Sequence, residues 1–132
     1  MILLDTQAFF WSISNPEKLS AKAQKIIAGK IKDNQQLLVS AISIWEICML
    51  VKKGRLELAM DAYAWQVKVE QLAHLQFIPV DNNIAAKSAM LPEPLHGDPA
   101  DRMIVATALE YGAILITSDK QLLKYPHVRS LW

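Results

Sequence analysis

Apolar residues along the chain fall into short unbroken runs separated by longer amphipathic stretches. Ile2 to Leu4 is such a run and stops at Asp5; Leu37 to Val39, Phe77 to Val80 and Ile114 to Thr117 repeat the pattern, and Val128 to Leu131 is a fifth candidate. Runs this short, without polar alternation, predict strands buried on both faces. Between them the apolar spacing becomes helical. Thr6 to Ile13 spaces Phe9, Phe10 and Ile13 along a helix that Asn15-Pro16 breaks. Ser20 is placed to cap a helix through Ala28 or beyond, with Ile26, Ile27 and Ile31 inward. A helix from about Ser43 to Lys53 is stopped by Gly54, and Asp61 to Leu75 carries Trp65, Val69 and Leu72 at helical spacing. Asn82 or Asn83 caps a short helix through Leu91. Pro92 and Pro94 make the segment up to Gly97 a loop. Asp98-Pro99 supplies a cap and a first-turn proline for a helix to Tyr111, closed by Gly112; Ser118 to Leu123 is a further short helix.

Buried strands alternating with helices predict an α/β fold with a parallel sheet covered on both faces. At 132 residues the chain forms one domain, 1–132. In such sheets ligands bind beyond the carboxyl ends of the strands. The composition, 52% hydrophobic and 20% charged with mean hydropathy +0.16, exceeds what a lone domain this small needs for a core. Part of its apolar surface is therefore expected to be covered by a partner. A net charge of +1 excludes a strong basic field, so contact with nucleic acid must rely on local patches or on bound metal. Lys52, Lys53 and Arg55 form one such patch, although a solvated helix end explains them as well. The single cysteine, Cys48, excludes an internal disulfide. No apolar stretch approaches the ~20 residues of a membrane span. Met1 to Asp5 does not read as a secretion signal, and a cytoplasmic protein is expected.

The predicted strand ends carry acidic residues. Asp5 and Asp119 follow the first and fourth strands; Glu46 and Asp101 fall in the first turns of the helices predicted near Ser43 and at Asp98. Each has an ordinary explanation, because carboxylates complement helix N-termini and Ser43-x-x-Glu46 matches a capping box. Against it, the neighbouring hydroxyls of Thr6, Ser40, Ser43, Thr117 and Ser118 can cap in their place. Glu46 is also the lone charge between Ala41 and Val51, where a charge is costly unless paired or metal-bound. Crowded carboxylates invite a hard divalent cation, Mg²⁺ or Mn²⁺. His74, His96 and His127 lack metal-ligand spacing, which argues against zinc; His96 alone is close enough to Asp98 to touch a substrate. Phosphodiester hydrolysis suits such a centre.

The segments Met1-Ile2-Leu3-Leu4-Asp5-Thr6, Val39 to Ile47, Asp98 to Leu109 and Leu115 to Asp119, in this order, resemble the PIN-domain ribonucleases, in particular VapC-type toxins of prokaryotic toxin–antitoxin pairs. The resemblance covers nearly the whole chain. It implies a PIN-like three-layer sandwich with strand order 3-2-1-4-5, and a Mg²⁺- or Mn²⁺-dependent endoribonuclease acting on RNA. By that match Asp5, Glu46, Asp101 and Asp119 are the catalytic and metal-binding residues, and Thr6 orients the first aspartate. Asp98, Arg102 and Ser118 are expected just outside, as supporting or substrate-binding residues, with Arg102 pairing an acidic neighbour. A homodimer and a small antitoxin lying in an apolar groove are further implied partners. Haloacid-dehalogenase phosphatases and receiver domains fit poorly, since Gln7 stands where the first needs an acid and Asp5 lacks the acidic neighbour the second needs. A PIN-like module that binds RNA without cleaving it is the remaining alternative.

Overall fold

The computed structural model describes residues 1–132. In chain order its elements are β1 (Ile2–Leu4), α1 (Thr6–Ser14), a 3-10 turn (Pro16–Lys18), α2 (Ala21–Lys32), β2 (Leu37–Ser40), α3 (Ala41–Lys52), α4 (Ala62–Glu70), β3 (Leu75–Ile78), α5 (Asn82–Ala89), α6 (Pro99–Tyr111), β4 (Ile114–Ile116), α7 (Lys120–Lys124) and β5 (Ser130–Leu131). The strands form one parallel sheet in the order β3-β2-β1-β4-β5.

Alternation along each strand explains the unbroken apolar runs. Ile2, Leu4, Leu37, Val39 and Ile116 face α1 to α4, where they meet Phe9, Ile27, Ile47, Trp65 and Val69. Leu3, Leu38 and Leu115 face the other way and pack on Ile84 of α5, Ile104 and Val105 of α6 and Leu122 of α7. Two apolar layers thus sandwich the sheet. Phe9 is fully enclosed and meets Trp65 at 6.0 Å and the edge of Phe77 at 5.6 Å between ring centroids. No helix is long and apolar enough to cross a membrane.

Several boundaries differ from the sequence reading, each for a local reason. α3 starts at Ala41, because the Ser40 hydroxyl leaving β2 accepts the Ile42 N–H at 3.2 Å; Ser43 lies inside the helix. α4 ends at Glu70 and not near Leu75, since Leu75 must pair with Leu37 at the start of β3. β3 accordingly lies two residues earlier than the apolar run suggests. Asp81 caps α5, accepting the Ile84 N–H at 2.9 Å, in place of either asparagine. Asp119, and not Ser118, caps α7. Gly112 ends α6 with φ +61°, a left-handed conformation that glycine adopts without strain.

Because Phe9 has no solvent exposure and anchors α1 on the sheet, Phe9→Ala should destabilise the fold by about 3–5 kcal/mol in urea unfolding. A cost under ~1 kcal/mol would be inconsistent with this packing.

Candidate metal centre

The parallel sheet directs every strand's carboxyl end to one rim, and α1, α3, α6 and α7 start there. Asp5 stays in the sheet through its own N–H, which donates to the Ile116 carbonyl at 3.1 Å. Its Oδ1 accepts the Ala8 N–H at 2.8 Å and so caps α1. Asp119 caps α7, accepting from Gln121 N–H at 2.8 Å and Leu122 N–H at 3.4 Å. Asp98 caps α6 by accepting the Asp101 N–H at 3.0 Å. Carboxylates therefore do serve as caps here, and the neighbouring hydroxyls do not displace them. Of those hydroxyls only Ser40 caps a helix, α3; the others make different contacts.

Glu46 is the exception. With α3 beginning at Ala41, it sits in the second turn, beyond any capping box. It accepts a hydrogen bond from Thr6 Oγ1. Thr6 Oγ1 also lies 2.8 Å from Ser43 Oγ; since the Thr6 proton goes to the carboxylate, Ser43 is the donor in that second bond. Ser43 is completely buried and anchors this relay from α3 through α1 and back, while Thr6 and Glu46 are half-buried at the edge of the cleft.

Asp5, Thr6, Glu46, Asp101 and Asp119 line one cleft of about 420 Å³. No lysine or arginine forms an ion pair with any of these four carboxylates. Burial raises the pKa of Asp5; Thr117 and the Ala8 N–H draw it back, and Asp119 raises it further. Burial also raises Glu46, opposed by Thr6 and reinforced by Asp98 and Asp5. Asp101 is pushed up to about 7 by burial first, then by Asp98, Glu46, Asp119 and Asp5.

His96 lies against this cluster. Its Nε2 is 3.4 Å from Asp101 Oδ2, and one ligand atom each from His96, Asp101 and Asp119 lie within 4.8 Å of one another. Asp5 and Glu46 stand outside that tight group. The carboxylates fit a divalent cation: several oxygens face one cleft and no lysine or arginine neutralises them.

The remaining sequence candidates sit further out. Ser118 Oγ donates to Gln7 Oε1 at 3.1 Å and ties the end of β4 to α1. Arg102 does not reach the cluster. Its guanidinium donates to the carbonyls of Ser88 at 3.0 Å, Leu95 at 3.2 Å and His96 at 3.4 Å, with Glu93 only at 4.0 Å. Its main work is to hold the loop before α6, since backbone carbonyls take the donors expected for an acidic side chain. Ser43 and Thr117 support the site but look like simple caps in the sequence. A larger apolar groove of about 580 Å³ adjoins the cleft and shares Glu46 with it, lined also by Ile42, Trp45, Val80, Asp98 and Met103. Trp45 is 57% exposed, unlike the buried Phe9 and Trp65.

A PIN-domain fold and an acidic rim of this kind define the class of protein. The PIN-domain family model matches residues 2–128, and the chain belongs to that family. It is 36% identical to Ribonuclease VapC22 of Mycobacterium tuberculosis (strain ATCC 25618 / H37Rv), over 97% of this chain and 94% of that protein. Among solved structures, VapBC2 from Rickettsia felis bound to a promoter DNA fragment superposes with TM-score 0.70 at 19% identity, covering 100% of this chain and 99% of that one. FitAcB from Neisseria gonorrhoeae gives 0.69 at 21%, covering 100% and 97%.

The raised pKa of Asp101 has a defined sign for stability. Between the ordinary aspartate range and about 7, the metal-free folded state holds more protons than the unfolded chain. Its stability should therefore fall as pH rises through that window. Asp101→Asn should flatten the slope and raise the metal-free Tm at pH 8 by several degrees. An unchanged Tm–pH profile in this variant would refute the crowding of charge at Asp101.

Proposed function

We propose that this chain is a divalent-metal-dependent endoribonuclease and the toxin of a toxin–antitoxin pair, working in the cytoplasm. The convergence of Asp5, Glu46, Asp101 and Asp119 on one cleft, without a lysine or arginine partner for any of them, carries the reading. Those residues would hold Mg²⁺ or Mn²⁺, which supplies an activated water and neutralises charge on the phosphate. The chain's own residues set the geometry. Ser43 and Thr6 fix the Glu46 carboxylate, and the Ala8 N–H fixes Asp5. Lys18 lines the opposite wall of the cleft, 6.0 Å from the Trp11 ring centroid and free of any ion pair, so its charge is available to an RNA phosphate.

The partner reading rests on the apolar groove beside Glu46 and on kinship with a protein named Ribonuclease VapC22. An antitoxin segment seated along Ile42, Trp45 and Met103 would cover the mouth of the acidic cleft. A homodimer would bury further exposed apolar side chains, among them Tyr63 and Val67.

RNA cleavage should vanish in EDTA and return with Mg²⁺ or Mn²⁺; robust cleavage in chelator would sink the metal mechanism. Asp5→Asn retains an oxygen to cap Ala8 but loses the charge. It should keep the wild-type fold while losing more activity than the ~10–100-fold typical of residues one layer out from a metal. Single-turnover cleavage of a defined RNA, with circular dichroism as the control for folding, checks both halves.

A further inference from the structure

Histidine 96 is held where the site as described makes no use of it. The loop from Leu91 to Gly97 is fastened on two sides. Arg102 grips its Leu95 and His96 carbonyls, and Tyr125 Oη donates to the Pro92 carbonyl at 2.7 Å. The imidazole is thereby set beside the start of α6. Its Nδ1 accepts the Asp98 backbone N–H at 3.3 Å. With that lone pair engaged, the neutral ring carries its proton on Nε2. Nε2 is shielded from solvent and makes no hydrogen bond; Asp101 Oδ2 lies 3.4 Å away but out of line with it. Folded proteins rarely leave a buried donor unmet, and those that remain mark sites where something further is engaged.

Two roles fit an imidazole among carboxylates, and the ring's other nitrogen separates them. A metal-ligating histidine uses an unprotonated nitrogen and donates from the opposite N–H to a carboxylate or carbonyl. Here the opposite nitrogen faces an N–H, which is the reverse arrangement. We infer that His96 is a positioning residue: its Nε2–H donates to the Asp101 carboxylate and fixes the oxygen that Asp101 presents to a divalent cation, without binding the cation itself. This rests on the metal reading proposed above. Forming an ordinary hydrogen bond from this position needs a rotation into line and a shift of about 0.5 Å, within reach of a side-chain adjustment at Asp101. Arg102 then acts on the centre at one remove, through the loop it holds.

Calorimetric titration of Mn²⁺, and separately of Mg²⁺, into the metal-free full chain at pH 8 tests this with wild type, His96→Ala, His96→Gln and His96→Asn. Gln brings an amide N–H to the position of Nε2, whereas Asn is too short. His96→Ala and His96→Asn should weaken both ions about 10–100-fold, and His96→Gln should recover most of the loss, with metal-free Tm values alike. Should the alanine protein fail to fold, the Asn and Gln pair decides. Equal affinities across the set would reduce His96 to a loop residue. A loss confined to Mn²⁺, with ¹⁴N coupling in the wild-type Mn²⁺ spin-echo spectrum, would make His96 a direct ligand and overturn the donor assignment. Wild type that binds neither ion would remove the metal reading, and this inference with it.

Discussion

Mutual repulsion among carboxylates at the rim of a parallel sheet is the constraint around which the rest of this molecule is arranged. A carboxylate brought out of water destabilises the fold unless hydrogen bonds or opposite charge compensate it. No lysine or arginine does so here. Compensation comes instead from helix N-termini and hydroxyls: Ala8 N–H and Thr117 for Asp5, Gln121 and Leu122 N–H for Asp119, Thr6 for Glu46. The raised pKa of Asp101, which has no such donor in contact beyond the unaligned His96, shows how incomplete the compensation remains. Residual repulsion of this kind is relieved by a cation.

The same backbone positions thus serve stability and chemistry. Asp5 is both a sheet residue, through its N–H to Ile116, and the cap of α1. Asp119 caps α7 while its own N–H donates to Thr117 Oγ1 at 3.0 Å. Capping and metal binding are compatible because a carboxylate has two oxygens: in Asp5 and Asp119 Oδ1 accepts the helix N–H and Oδ2 caps nothing. Glu46, which caps nothing, depends on a side-chain relay in place of the backbone, and the buried Ser43 stands behind it.

Much of this was legible in the chain itself. Apolar runs bounded by Asp5, Ser40 and Asp119 marked strand ends, because a strand buried on both faces tolerates no polar interruption. The acidic positions followed from those ends. Helix starts were harder. Ser40 and Ser43 are equally good caps by residue type, and only the exit of β2 selects Ser40, which moves Glu46 from the first turn to the second. The end of α4 was hidden because Leu72 and Leu75 continue the helical spacing while the pairing of β3 with β2 overrules it. Arg102 does find an acidic neighbour, Glu93 at 4.0 Å, but most of its hydrogen bonds go to backbone carbonyls around the loop before α6, which no local pattern reports. His96 stood out only by its closeness to Asp98, as a candidate substrate contact; its approach to Asp101 had no spacing to announce it.

The central place of β1 also governs when the acidic rim comes into being. Asp5 precedes most of the fold in chain order, yet β1 is flanked by β2 on one side and by β4, residues 114–116, on the other. Its cap to α1 can form early, but its sheet bond to Ile116 cannot, and Asp119 arrives later still. A nascent chain on the ribosome therefore carries the first aspartate unpaired to the sheet until β4 has emerged. The order of the strands ties the assembly of the centre to a segment far along the chain.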